Sequence, residues 1–337
     1  MRIALDAMGG DNAPMEIVKG AVNVCDRTDA QIILVGREAE IQAELDKYEG
    51  LYSPGQIIIK NAEEVITGED SPVKAVRRKK DSSLVRTVEL VKAGEADAAL
   101  SAGNTGALMV ASLFILGRLD GVERPAIASP LPNLEKLGHF SVLLDSGANA
   151  ECWATDLLTF ARLGSIYASR AFSIEKPRVG LINIGTEPGK GTNMLKEAHK
   201  LLEEDPDINF VGNIEARDIP KGFADVLVCD GFTGNIVLKL TEGTAWAILK
   251  DIKELMTSDL SAKIGAAFLA PKIKDLKKQF DYSSYGGAPI LGVDGLVFKI
   301  HGSSSATTVE NAIIKACTLA DSDMNEQSRS AMVGIIE

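Results

Sequence analysis

The 337-residue chain predicts an α/β fold on a mixed, largely parallel sheet, and three observations carry that expectation. Short apolar runs alternate with helical stretches along the sequence. The opening strand runs straight into a glycine turn. Three short signatures recur in the same order in the two halves.

The first element is an apolar strand through Ile3, Ala4 and Leu5 that ends on Asp6. A buried acid needs a partner, and in open α/β sheets the carboxyl end of a strand is where ligands bind. Gly9 and Gly10 let backbone approach a ligand there, Asp11 follows them, and Asn12 with Pro14 starts a helix whose N-terminus attracts anions. The spacing is neither a dinucleotide G-x-G-x-x-G nor a Walker loop, so the turn reads as an anion site or as a plain tight connection.

Further strands are expected at 31–35, 56–59, 98–100, 141–144, 179–184, 208–211, 226–228 and 296–300. Residues 2–9 match 178–185, residues 61–63 match 213–215, and Ala96-Asp97 with Gly103-Asn-Thr-Gly106 matches Ala224-Asp225 with Gly231-Phe-Thr-Gly234. Their collinearity predicts an internal duplication: one α/β domain of two pseudo-repeated halves, about 1–175 and 176–320. The second half lacks a long helix that 71–94 inserts into the first. Both G-x-T-G turns precede apolar helices, at 107–116 and 236–249, so Thr105 and Thr233 are expected to cap them and leave backbone N–H groups for an anion.

Composition narrows the function. The chain is 45% hydrophobic and 25% charged, which is globular, and its net charge of -11 argues against a general nucleic-acid binder. No apolar run is long enough to span a bilayer and the N-terminus has no signal-peptide pattern, so the chain reads as cytoplasmic. Cys25, Cys152, Cys229 and Cys317 are scattered, with no C-x-x-C pair and no histidine at metal-ligand spacing, so neither zinc nor a disulfide framework is expected.

Two surfaces stand out. Arg77, Arg78, Lys79 and Lys80 form a basic run that reads as a dock for an acidic protein partner, a subunit contact or a solvated face. Within 241–280, a protruding amphipathic helical hairpin is expected. Leu260, Ile264 and Phe268 form one stripe, Pro271 is expected to break the helix, and Ile273, Leu276 and Phe280 form a second stripe flanked by lysines. That pattern suits an anionic membrane surface; the alternative is packing on the body or on a second subunit.

The motifs at 6–14, 75–83, 101–107, 183–187, 229–235, 285–288 and 301–304 together resemble the bacterial phosphate acyltransferase family, over almost the whole chain. The resemblance implies an isocitrate/isopropylmalate dehydrogenase-like fold, also similar to phosphotransacetylase, with a three-layer α/β/α arrangement of one mixed sheet and two intertwined halves. It implies acyl transfer from an acyl-acyl carrier protein to inorganic phosphate for phospholipid synthesis, without metal or other cofactor. It also implies a membrane glycerol-3-phosphate acyltransferase downstream, and a homodimer is expected.

Such a site must hold phosphate, steady a thioester oxyanion and release a thiolate. Gly185-Thr186-Glu187-Pro188-Gly189-Lys190-Gly191 is the best phosphate loop on the chain, with Lys190 either a point charge on phosphate or a solvated lysine. Asn104, Thr105, Thr233 and Asn235 supply neutral donors, or only turn chemistry. His301, followed by Gly302 and Ser303, reads equally as general acid or as structural histidine. Asp6, Asp11, Asp145 and Asp230 would repel phosphate, so they are expected to orient Lys190 or His301 or to fix loops. Burial beside Asp230 should make Cys229 a poor nucleophile, which disfavours an acyl-cysteine. The competing readings are a phosphotransacylase using short acyl-coenzyme A, an NAD- and metal-dependent dehydrogenase of the same fold class, disfavoured for want of a dinucleotide fingerprint, and a non-catalytic membrane scaffold.

Overall fold

A computed structural model describes residues 1–136, 138–279 and 285–332. The first half opens β1 (Arg2–Asp6), α1 (Met15–Asn23), β2 (Gln31–Gly36), α2 (Glu38–Leu45), β3 (Ile57–Asn61), α3 (Pro72–Arg78), α4 (Ser83–Lys92), β4 (Ala98–Ser101) and α5 (Thr105–Ala111). A π-helical turn, Ser112–Leu116, extends α5. Then come β5 (Ala126–Ile127), β6 (Ser129–Pro132), β7 (Phe140–Leu144) and α6 (Ala154–Phe172). The second half runs β8 (Arg178–Asn183), α7 (Asn193–Glu204), β9 (Asn209–Glu215), β10 (Val226–Val228), α8 (Gly231–Thr257), α9 (Leu260–Gln279), β11 (Ala288–Leu291), β12 (Val297–Lys299), α10 (Ala306–Ala320) and α11 (Met324–Met332).

The strands form two sheets instead of the single one expected. One has the order β3-β2-β1-β4-β12-β11-β5, the other β6-β7-β10-β8-β9. Pairing is parallel except where β11 and β6 enter. A single residue, Ala128, separates β5 on the edge of the first sheet from β6 on the edge of the second. β5, β6 and β11 were not anticipated, because Pro130, Pro132 and Pro289 lie in two of them and proline removes a ladder donor.

Helices cover both faces. Ile3 and Leu5 pack with Ile17 and Val18 of α1 and Val309 of α10, while Ala4 and Ile33, pointing the other way, pack with Leu90 of α4. In the second sheet Val226 and Val228 share the main core with Phe160 of α6 and Leu202 of α7, and Leu143 and Leu227 meet Val237 and Leu238 of α8 on the other face. The main core is continuous through both sheets.

The two repeated strand starts are built alike. The backbone N–H of Arg2 donates to Asp97 Oδ2 (2.6 Å) and its guanidinium to Gly94 O (2.5 Å). The N–H of Arg178 donates to Asp225 Oδ2 (2.8 Å) and its guanidinium to Gly222 O (2.9 Å). The long inserted helix is in fact two, α3 and α4, because Ser82 caps a new helix by accepting from Val85 N. The basic run straddles that break. Lys79 pairs with Asp70 (2.6 Å) and the Arg77 guanidinium lies over the Phe114 ring, whereas Arg78 and Lys80 are exposed.

Pro271 does not break α9 as expected; the helix continues to Gln279. Proline there removes one bond to the Ala267 carbonyl, and both residues are exposed, where solvent access makes the loss cheap. Phe280 lies outside the described residues.

Candidate active site

Glycine turns gather at the carboxyl ends of the strands in each sheet. At the first sheet, Gly9 sits so close to the turn after β4 that an added Cβ would lie 2.5 Å from Asp6 Oδ2 and 2.7 Å from Gly103 N. The space its missing side chain leaves is therefore filled by the protein itself. Asp11 N donates to Gly302 O (2.8 Å), which ties in the turn after β12. Asp6, Gly9, Gly10, Asp11, Gly103 and the His301-Gly302-Ser303 turn thus form one close-packed cluster.

Its charged centre is a residue that the sequence reading missed. Lys299 Nζ donates to Gly103 O and Ile300 O, both at 2.6 Å, and so fastens the turn after β4 to the end of β12. Burial pushes its pKa down to about 8, against the attraction of Asp6 and Asp11. Asp6 accepts from the Ser101 hydroxyl (2.6 Å) and Met8 N (3.2 Å), and burial pushes its pKa up despite those bonds and the lysine. The expectation that Asp6 orients Lys190 or His301 is thereby corrected: its partners are serines and Lys299. Within an apolar strand end, Val297-Phe298-Lys299-Ile300, the lysine looked like an ordinary outward residue. Only the approach of β4 and β1 shows where it points.

Asn104 has no free polar atom. Its Oδ1 accepts from Ala107 N (3.0 Å), and its Nδ2 faces the carbonyls of Thr67, Gly68 and Asp70 at 3.1 to 3.3 Å. It, and not Thr105, caps α5, so the expected cap is corrected by one residue, and Asn104 is a buttress and not a free donor. Thr105 is exposed, and Gly106 packs against Pro72.

The second turn differs. Asp230 caps α8, accepting from Thr233 N (2.8 Å) and from the Thr233 hydroxyl (2.9 Å), so the expected threonine cap is corrected here too. An added Cβ on Gly234 would lie 1.9 Å from Asp145 O, and Gly231 N donates to Asn149 O (2.7 Å). Asn235 lies against Gly147, and its amide has no hydrogen-bond partner among the described residues. Asp145 is fully buried and fixes its loop by accepting from the N–H groups of Ile127, Gly147, Ala148 and Asn149.

The loop from Gly185 is braced from below. Asn183 Nδ2 donates to Lys190 O, and Asn213 Nδ2 donates to Glu187 O while its Oδ1 meets His199 Nδ1 (3.1 Å). Gly191, at φ +83°, closes the loop. Thr186, Glu187 and Lys190 are exposed, and the Lys190 ammonium lies 3.9 Å from the Glu187 carboxylate. Met194, one turn further on, lines a cavity of about 400 Å³ together with Asp230 and Thr233, which places this loop beside the second G-x-T-G turn.

His301, after β12 of the first sheet, faces α8, which packs on the second sheet. Ser303 N and the Ser303 hydroxyl (2.9 Å) both face its Nδ1, so the neutral ring carries its proton on Nε2. Across from it lies Glu242 of α8, whose pKa is raised by burial and held back by the charges of His301 and Lys239. All four thiols are pushed up chiefly by burial, Cys25 to about 11 and Cys152 to about 12, and Cys229 further by Asp230 and Asp145. None is a ready nucleophile. No cluster of metal-ligating side chains occurs among the described residues.

Two sheets covered by helices on both faces, with glycine turns at their strand ends, define an α/β fold that other solved proteins share. A phosphotransacetylase from Streptococcus pyogenes superposes with a TM-score of 0.64 at 18% identity, covering 95% of this chain and 94% of that one. A putative 4-hydroxythreonine-4-phosphate dehydrogenase from Salmonella typhimurium gives 0.54 at 15%, covering 95% and 99%. The chain belongs to the family described as "Fatty acid synthesis protein", whose model matches residues 1–327. It is 49% identical to a phosphate acyltransferase of Alkaliphilus oremlandii, over 97% of this chain and 96% of that protein. It is 46% identical to one of Clostridium botulinum, over 100% and 99%.

Proposed function

We propose that this chain transfers a long-chain fatty acyl group from acyl-acyl carrier protein to inorganic phosphate, giving acyl phosphate for phospholipid synthesis. The observation that carries this reading is near-full-length identity of close to one half with proteins named phosphate acyltransferase. A phosphate oxygen attacks the thioester carbonyl, a C–O bond forms, the C–S bond breaks, and the carrier leaves as a thiolate that takes up a proton. A thiolate of pKa about 8.5 leaves readily, so positioning and oxyanion stabilisation supply most of the acceleration.

We assign phosphate to the Gly185–Gly191 loop, with Lys190 as its point charge, Thr186 beside it and Glu187 as the lysine's tether. Asn235, with its free amide, and the N-terminal turn of α8 at Thr233 and Gly234 serve the oxyanion. His301 relays the proton: its ring takes up the proton that the attacking hydrogen phosphate gives up, and the resulting imidazolium passes its Nε2 proton to the departing thiolate. Lys299 is a positioning residue that holds the Gly103 turn against the Asp6, Gly10 and Asp11 cluster. The halves at about 1–175 and 176–320 are read as a duplication, which the matched Arg2 and Arg178 clasps support.

Incubation of the purified protein with phosphate and palmitoyl-acyl carrier protein tests the reading by free thiol and acyl phosphate. Equal amounts of both should accumulate. Turnover only with short acyl-coenzyme A would favour a phosphotransacylase, and no turnover with any donor would favour a scaffold.

The hairpin of α8 and α9 joins the body through Val237 and Leu238. Leu260, Ile264 and Phe268 are 75%, 57% and 82% exposed, so all three are open to an outside partner. No described helix is long and apolar enough to cross a membrane. We assign this stripe to an anionic membrane surface, where a membrane glycerol-3-phosphate acyltransferase would consume the product. Leu240, Trp246 and Leu255 of α8, also exposed, we assign to a homodimer. Changing Ile264 and Phe268 to Asp should lower binding to anionic vesicles about a hundredfold by sedimentation. Unchanged vesicle binding with a split oligomer would assign the stripe to the dimer instead.

A further inference from the structure

Beside the second G-x-T-G turn lies the cavity of about 400 Å³, whose lining includes the apolar Trp153, Met194 and Phe232 and the charged or polar Arg124, Glu151, Asp230 and Thr233. Its size falls within the roughly 300–1,000 Å³ of small-ligand sites. Three helix starts build it: Trp153 precedes α6, Met194 lies in the first turn of α7, and Phe232 in the first turn of α8. Each is anchored by a cap. Asp156 accepts from Trp153 N (2.8 Å), Thr192 accepts from Leu195 N, and Asp230 accepts from Thr233 N.

On this rigid frame two large rings stand open, Trp153 at 67% and Phe232 at 63% exposure. Both line the one cavity and together give it exposed apolar surface. The charges around them do not suit a free anion. Asp230 and Glu151 are acidic, and the one cation, Arg124, already pairs with Asp156 (3.3 Å). A ligand that fits must be apolar along its length and place a polar group near Thr233.

We propose that this cavity is the acyl-chain subsite of the donor, with the thioester carbonyl toward Thr233 and the chain beyond its first few methylenes lying along Trp153, Phe232 and Met194. The inference rests on the acyl-transfer reading and adds to it the residues that select for a long chain. A butyryl group reaches little of that apolar surface, whereas a palmitoyl group covers it.

The test compares palmitoyl- and butyryl-acyl carrier protein in the wild type and in a Trp153→Ala/Phe232→Ala variant. The palmitoyl-to-butyryl ratio of kcat/KM should fall about tenfold or more. An unchanged ratio, whether or not overall activity falls, overturns the proposal, because the rings would then serve a part common to both donors or none. A second measurement covers loss of fold or an inactive wild type. In a Trp246→Phe background Trp153 is the remaining tryptophan, and palmitoyl-coenzyme A added without phosphate should change its fluorescence saturably while acetyl-coenzyme A does not. A silent Trp153 would overturn the subsite on its own. A responsive Trp153 with no turnover on any donor would retain the subsite and reject the acyl-transfer reaction.

Discussion

Asp6 and Asp145 each end near a glycine turn at the carboxyl edge of a sheet, both are buried, and their surroundings are opposite. Asp145 is enclosed by backbone N–H donors from Ile127, Gly147, Ala148 and Asn149 at 2.7 to 3.1 Å. Such an acid shapes a loop. Asp6 has one backbone donor, one short serine bond and a buried ammonium nearby, and burial pushes its pKa up. The chain thus uses the same residue type at its two sheets for two ends: loop structure at the second, a charged cluster at the first.

The contrast is most directly broken by substitution. Asp145→Ala should destabilise the fold by on the order of 3 kcal/mol or more, since several buried N–H groups lose their acceptor at once. Thermal unfolding would show a drop of several degrees; an unchanged melting temperature would remove Asp145 from its structural role. Asp6→Asn should do the reverse. A carboxyl whose folded pKa lies above the unfolded value takes stability away as pH rises past 3.8, so its neutral replacement leaves the melting temperature near wild type or raises it. Acyl phosphate formation should nonetheless fall by about tenfold or more, because the charge facing Lys299 is gone. A large loss of stability with activity retained would make the two acids alike.

The smallest expected effect concerns the thiols. With Cys25, Cys152, Cys229 and Cys317 all changed to Ser or Ala, the folded protein should keep most of its turnover, since every thiol is held up by burial. An acyl-cysteine trapped by mass spectrometry would contradict this and move the chemistry to the Asp145 side, beside Cys152 and Cys229.

Much of this arrangement was legible beforehand. The α/β class followed from the alternation of apolar strands and helices, and the paired Arg–Asp signatures marked two strand starts that the structure builds with the same bonds. Glycine turns at the strand ends and the poor nucleophilicity of Cys229 were also readable, because each follows from local residue chemistry. Three things were not. The proline-bearing strands β6 and β11 carry the wrong local signal and exist through pairing with distant partners. Helix caps slipped by one residue or more because Asn104 and Asp230 bind N–H groups at least as well as the threonines beside them. Lys299 was invisible because its partners, Gly103 and Asp6, are almost 200 and almost 300 residues away in the chain. A hydrogen bond of that span has no sequence pattern.

The pH–rate profile separates a working charge at Lys299 from a structural one. Burial puts its pKa at about 8 instead of 10.5, so the ammonium that binds Gly103 O is lost as pH rises through 8. The unfolded chain holds that proton up to about 10.5, so folding stability contributed by this group rises across the same window while activity falls. The account predicts that wild-type kcat/KM for phosphate drops above about pH 8 with no loss of melting temperature, and that Lys299→Arg, whose charge persists, moves the drop upward. A profile that stays flat through pH 9.5, or one that falls identically in Lys299→Arg, would contradict it.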